Sequence, residues 1–169
     1  DLYMGSKPVM WSVVEKTALA EAEVEYLEHA SPTIWVSFPI LNGDKDLSGA
    51  SILIWTTTPW TIPANRALAF SSQFEYGLFE VSSIDEGSIA SVGKKIIINT
   101  AMRENVENAA KIKLSLLKSV KSLEGLICSH PFKESGYDFD VPLLEGDFLT
   151  EDAGTGFVHI APSHGQDDY

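Results

Sequence analysis

The sequence predicts a β-rich α+β domain, drawn as a distorted β-barrel-like body with one or a few helices. Three observations predict it. Short apolar runs rich in β-branched and aromatic residues recur along the chain, clusters of Gly, Pro, Asn and Asp separate them, and one stretch carries helical spacing. No internal repeat is evident.

Residues 1 to about 30 read as a linker or ribbon that leads into a domain spanning 31–169. Within the lead-in, Lys7-Pro8-Val9-Met10-Trp11-Ser12-Val13-Val14 suggests a short strand, and the Ala/Glu-rich stretch after it is weakly patterned. Thr33-Ile34-Trp35-Val36-Ser37-Phe38-Pro39-Ile40 reads as a strand, with Asn42-Gly43-Asp44 as a turn. The apolar run Ser51-Ile52-Leu53-Ile54-Trp55 reads as a buried strand, which Pro59 and Pro63 forbid from continuing. Ala67-Leu68-Ala69-Phe70, Tyr76-Gly77-Leu78-Phe79-Glu80-Val81 and Lys95-Ile96-Ile97-Ile98 are further strands. Thr100 is placed to cap a helix from about Ala101 to Lys111, with Met102, Val106, Ala109 and Ala110 at helical spacing. Ile112-Lys113-Leu114-Ser115-Leu116 alternates like a strand, and periodicity leaves the helix–strand boundary open. Asp85-Glu86-Gly87-Ser88 and Glu134-Ser135-Gly136 read as exposed turns, and the acidic stretch from Leu144 to Asp152 as a solvated loop or strand edge. Gly156-Phe157-Val158-His159-Ile160-Ala161 reads as the last strand.

The chain has 169 residues, 44% of them hydrophobic and 21% charged, a globular balance with enough length to bury a core. No apolar stretch reaches the roughly 18 residues of a membrane span, and the opening residues lack the pattern of a signal peptide, so a cytoplasmic setting away from membranes is expected. The abrupt end at Tyr169 reads as a boundary within a longer chain. One cysteine, Cys128, excludes an internal disulfide and a cysteine cluster for zinc, and four scattered histidines set no metal-ligand spacing; no metal site is expected. The formal charge of −12 argues against an autonomous, high-affinity RNA binder, because phosphate neutralisation by Lys and Arg supplies most such affinity. Neither a Gly-rich phosphate loop nor a nucleotide-binding fingerprint is present, so ATP chemistry is not expected here.

Two segments concentrate chemistry. Trp55-Thr56-Thr57-Thr58-Pro59-Trp60-Thr61-Ile62-Pro63-Ala64-Asn65-Arg66 places four threonine hydroxyls at a strand end and in the loop after it, where binding groups usually sit. A plainer reading makes the threonines strand formers and Trp55 and Trp60 core. The second segment, Gly154-Thr155-Gly156-Phe157-Val158-His159-Ile160-Ala161-Pro162-Ser163-His164-Gly165-Gln166-Asp167-Asp168-Tyr169, closes the chain. Together they resemble the editing (connective peptide) domain of isoleucyl-tRNA synthetases. Valyl and leucyl relatives are similar in plan but carry Arg-Pro where this chain has Thr58-Pro59-Trp60. Weaker likeness extends to Lys7-Pro8-Val9 with Trp11, to Thr17–Tyr26, and to Gly125, Cys128, His130 and Pro131. Trp11-Ser12-Val13-Val14 lacks the cysteines some members carry.

The resemblance implies hydrolysis of a wrong aminoacyl ester, chiefly valyl-tRNA(Ile), or of valyl-adenylate. The implied partners are the acceptor end of tRNA(Ile) carrying valine and the rest of the synthetase chain. No cofactor is implied in this domain, ATP and Mg²⁺ belonging to a synthetic domain elsewhere, and the isolated domain is expected to be a monomer. Asp168 is the candidate for gripping the substrate ammonium through a charge-assisted hydrogen bond. Thr57 and Thr58 join it as catalytic candidates, while Thr56 and Thr61 offer hydroxyls for ribose, ester or water. Trp60 would supply a wall or stacking surface, and Asn65 a fixed amide. His159 and Ala161, two apart on a strand, would face one side and line the pocket, with His159 limiting its size rather than acting as a base. With no Ser-His-Asp or Cys-His constellation, direct water attack is expected. Two other readings stand beside this one: a domain that binds the aminoacyl end without hydrolysing it in isolation, and a generic β-barrel interaction module. The module would not bring Thr57, His159 and Asp168 together.

Overall fold

The computed structural model describes residues 2, 4–5, 9–28, 30–151, 154–162, 164 and 168. These residues fall into two units, 1–31 and 32–169. In the first, β1 (Trp11–Ser12) pairs antiparallel with β2 (Thr17–Ala18), and a 3-10 turn follows at Glu21–Glu23. Lys16 takes a left-handed conformation (φ 57°), and its N–H donates to the Ser12 carbonyl at 2.9 Å to close the hairpin. None of this unit's described residues belongs to the buried core.

The second unit contains β3 (Ile34–Pro39), β4 (Ala50–Thr56), β5 (Ala67–Phe70), β6 (Tyr76–Ile84), β7 (Lys95–Asn99), α1 (Arg103–Ala110), β8 (Ile112–Val120), β9 (Ile127–Ser129), β10 (Asp140–Glu145) and β11 (Phe157–Ile160). The strands form a five-stranded sheet in the order β3-β4-β7-β6-β8 and a four-stranded sheet in the order β11-β5-β10-β9. Two pairs, β4–β7 and β5–β10, are parallel, and the rest are antiparallel. The body is β-rich with few helices, as expected, but among the described residues the sheets stay open and do not close into a barrel. An isolated antiparallel bridge between Ile40 and Cys128 ties the two sheets.

Alternation along the strands explains the layering. Ile52 and Ile54 of β4, Leu78 of β6 and Ile97 of β7 face the four-stranded sheet, where they meet Leu68, Phe70, Val141, Leu143 and Phe157. Leu53, Phe79, Val81, Ile96 and Ile98, offset by one residue, form a second cluster on the opposite face with Val106 of α1, Ile112 and Leu114. A strand covered on both faces must be apolar at every position, which is why β4 reads as a continuous hydrophobic run. Each large side chain buried in this way contributes roughly 1.5–3 kcal/mol.

The helix departs from expectation at its start. Residues Thr100–Met102 form a 3-10 turn, and the cap is Asn99, whose side-chain oxygen accepts the Ala101 N–H at 2.9 Å, while Thr100 donates to the Glu75 carbonyl at 3.1 Å. Lys111 (φ 54°) ends the helix in the left-handed region, which settles the boundary with β8. No described helix is long and apolar enough to cross a membrane.

Candidate functional site

The threonine segment and the terminal segment meet because β5 connects them. After Thr56 ends β4, Pro59 and Pro63 impose a 3-10 turn over Pro59–Ala64, and the chain re-enters as β5. β11 then pairs antiparallel with β5, with His159 opposite Leu68, and the Arg66 N–H extends the ladder by donating to the Ile160 carbonyl at 2.9 Å. Residues about a hundred apart in sequence therefore share one cleft of about 460 Å³. It is lined by Trp55, Thr56, Thr57, Thr58, Trp60 and Thr61 from the first segment, and by Gly154, Phe157, Val158, His159, His164 and Asp168 from the second.

Within the cleft the threonines are linked. The Thr58 N–H donates to Thr56 Oγ1 at 3.0 Å, and the Thr56 and Thr58 hydroxyls lie 3.2 Å apart. The Thr58 hydroxyl is 3.3 Å from that of Thr61, which donates to the Thr58 carbonyl at 2.8 Å. Thr61 Oγ1 is also 2.9 Å from His159 Nε2. Thr56, Thr61 and His159 are buried, whereas Thr57 is exposed and Trp60 is 65% exposed, so Trp60 is a surface and not core. Burial pushes the His159 pKa below its ordinary value; Asp168 opposes this and His164 reinforces it.

Asp168 is held at the cleft by the Ala161 N–H, which donates to its Oδ2 at 2.9 Å. The lining includes no Lys or Arg among the described residues, so the fixed charge it offers is a carboxylate. Such a site suits an amine. Asp167 lies outside the described residues.

Two expected residues sit away from the lining. Asn65 is wholly buried, with its Nδ2 donating to the Ala67 carbonyl at 2.8 Å and lying 3.5 Å from His159 Nδ1. Ala161 is buried too, and reaches the site through its backbone N–H. Sequence reading missed Phe148, Leu149 and Thr150, which line the cleft from the stretch expected to be a solvated loop or strand edge. The signal was there in an apolar pair followed by a hydroxyl inside an acidic run. It also missed the pin at the start of β11. Tyr76 donates to the Gly156 carbonyl at 2.8 Å and accepts from the Ser71 N–H at 3.1 Å, and its burial pushes its pKa up to about 12. His130 supports the threonine turn: its Nε2–H donates to the Ile62 carbonyl at 3.0 Å, and its ring stacks on Tyr137 at 4.9 Å.

Comparison with known proteins bears on the family and the fold. The chain is 55% identical over 99% of its length to the isoleucine–tRNA ligase of Agrobacterium fabrum and 51% identical to that of Caulobacter vibrioides, and it spans 18% of the length of each. No protein-family model matches it. Among solved structures, GlLeuRS-CP1 superposes with a TM-score of 0.62 at 18% identity, covering 82% of this chain and 58% of that one. The editing domain of Plasmodium falciparum cytosolic leucyl-tRNA synthetase gives 0.56 at 16% identity, covering 71% of this chain and 44% of that one. The sequence match over nearly every residue and the shared fold together show that this chain belongs to the isoleucine–tRNA ligase family, as the part of it that folds like a leucyl-tRNA synthetase editing domain.

Proposed function

We propose that this domain edits aminoacylated tRNA by hydrolysing the ester that joins valine to the end of tRNA(Ile), with valyl-adenylate as a second substrate of the same cleft. The observation that carries the reading is the fixed Asp168 carboxylate, set on a cleft of threonine hydroxyls that has no cation among its described lining residues. An aminoacyl ester presents an ammonium group, which a carboxylate held by a backbone N–H would orient. Thr57 and Thr58 would position the water and the ester and Thr56 the ribose, while Thr61, expected from the sequence to bind substrate, has its hydroxyl taken up by Thr58 and His159. Trp60 would give the terminal base a face on which to stack. Water would attack directly, and hydrogen bonds to the developing oxyanion would supply most of the rate. The convergence of Thr57, His159 and Asp168 speaks against a generic interaction module.

A cleft of this size holds the whole aminoacyl end, so selection between valine and isoleucine falls to the part bordered by His159. The double-sieve logic is the established principle for isoleucyl enzymes, where one methylene gives limited discrimination in a single site. The partners proposed are the tRNA acceptor end and the remainder of the synthetase, in the cytoplasm. ATP and Mg²⁺ are assigned to the synthetic domain, with no cofactor here.

The charge of −12 favours one further point: detached from the body that holds the tRNA, the domain binds the aminoacyl end too weakly for useful turnover. Asp168→Ala, placed in the full synthetase, is expected to slow valyl-tRNA(Ile) deacylation by on the order of 100-fold or more. A near-normal rate would remove Asp168 from the ammonium role. A full synthetase that retains valyl-tRNA(Ile) without deacylating it would favour binding alone over hydrolysis.

A further inference from the structure

We infer that Thr61 and Asn65 are positioning residues that lock His159 as the neutral Nε2–H tautomer, making its ring a rigid, non-basic wall of the cleft. Two independent constraints on hydrogen-bond direction lead to the same tautomer. A hydroxyl has one proton, and Thr61 donates it to the Thr58 carbonyl, an oxygen that can only accept. Towards His159, 2.9 Å away, Thr61 is therefore an acceptor, and Nε2 must carry the hydrogen. On the other side of the ring, Asn65 Nδ2 donates to the Ala67 carbonyl at 2.8 Å, which fixes the amide with its nitrogen towards both neighbours. An amide nitrogen can only donate, so His159 Nδ1, 3.5 Å away, is the acceptor.

The same rule orders the rest of the chain of hydroxyls. With the Thr61 proton committed, Thr58 donates to Thr61, and Thr56 then donates to Thr58. The relay runs one way, from Thr56 to the Thr58 carbonyl, and His159 feeds into it at Thr61. Asn65 bears a cost for its part: its Oδ1 is buried with no partner among the described residues, and an orphaned acceptor of this kind costs roughly 1–3 kcal/mol. Flipping the amide would set that oxygen against the Ala67 carbonyl. The burial that lowers the His159 pKa agrees with a neutral ring.

With both ring nitrogens engaged inside the protein, His159 offers the cleft no lone pair for proton abstraction. It offers shape instead, and a ring fixed at two opposite edges can reject an extra methylene that a swinging ring would admit. That consequence for selectivity rests on the editing reading above; the lock itself does not.

The test begins with the unaltered domain. In a long-range ¹H–¹⁵N spectrum at pH 7.5, His159 is expected to show a protonated Nε2 and an unprotonated Nδ1. An Nδ1–H form, or averaging between the two, would overturn the lock whether or not the domain edits. Thr61→Val leaves the Nε2–H without its acceptor while Asn65 still donates to Nδ1, so the signature is expected to shift towards averaging without inverting, and Thr61→Ser should restore it. In the full synthetase, Thr61→Val should also lower the preference for valyl over isoleucyl ester by about 10-fold, with Thr61→Ser recovering it. A Thr61→Val protein that keeps the wild-type signature refutes the assignment of Thr61. A correct tautomer in a protein that hydrolyses neither ester leaves the lock standing and refutes the editing reading.

Discussion

At the scale of single residues, the site divides into groups that face the cleft and groups that hold them. Asp168 has one carboxylate oxygen committed to the Ala161 N–H, which orients the other for a ligand. His159 borders the cleft while only 9% exposed, so truncating it opens space that packed neighbours cannot easily refill. His159→Ala is accordingly expected to let isoleucyl ester be cleaved, reducing valyl-over-isoleucyl selectivity by about 10-fold or more in the full synthetase. Unchanged selectivity would assign the sieve to another wall, with Phe148 and Leu149 as candidates on the same cleft. The candidates facing the cleft were legible in the sequence because hydroxyls, an imidazole and a carboxylate cluster in two dense motifs. The part played by Asn65 was not. Its amide reads as a ligand group in one dimension, and only the burial of β5 and β11 shows it turned inward.

At the scale of elements, strand identity was legible wherever apolar runs were long, as in β4, β6 and β7. β9 and β10 went unread, since Ile127–Ser129 is three residues long and β10 carries Asp140 and Pro142, both poor strand formers. The parallel pairings β4–β7 and β5–β10 leave no local trace, because register between distant strands is set by the shared core and not by a turn. The start of β11 shows how an element is fixed by its backbone. Gly156 has φ +83°, and a Cβ there would lie 2.4 Å from the Asn99 Cβ, while its carbonyl accepts from Tyr76. Gly156→Ala therefore meets both a disfavoured conformation and a collision with the end of β7. We expect it to destabilise the domain by about 2–4 kcal/mol in urea unfolding. A loss below 0.5 kcal/mol would mean that β11 is not anchored at this point.

At the scale of the whole molecule, four buried groups that stay neutral bound the pH range in which the fold is stable. On the acid side, burial lowers the pKa values of His130 and His159 from their ordinary 6.5. As the pH falls below 6.5 the unfolded chain takes up protons that the folded one refuses, so the stability present above that value is progressively lost. On the alkaline side, burial raises Cys128 from 9.0 and Tyr76 from 10.0, each to about 12. Here the unfolded chain releases protons that the fold retains, so stability is lost as the pH rises above about 9. A plateau from about pH 7 to 8.5 is expected, with urea midpoints falling on both flanks. Each histidine adds up to about 1.4 kcal/mol per pH unit to the acid slope between its unfolded and folded pKa values. The two histidines can be separated, because His130 supports the threonine turn through the Ile62 carbonyl whereas His159 lies on the cleft. His159→Ala should flatten part of the acid flank and leave the alkaline one unchanged. An acid flank equally steep in that variant would show that the His159 ring does not stay neutral in the fold, and that the two-sided hold by Thr61 and Asn65 fails with it.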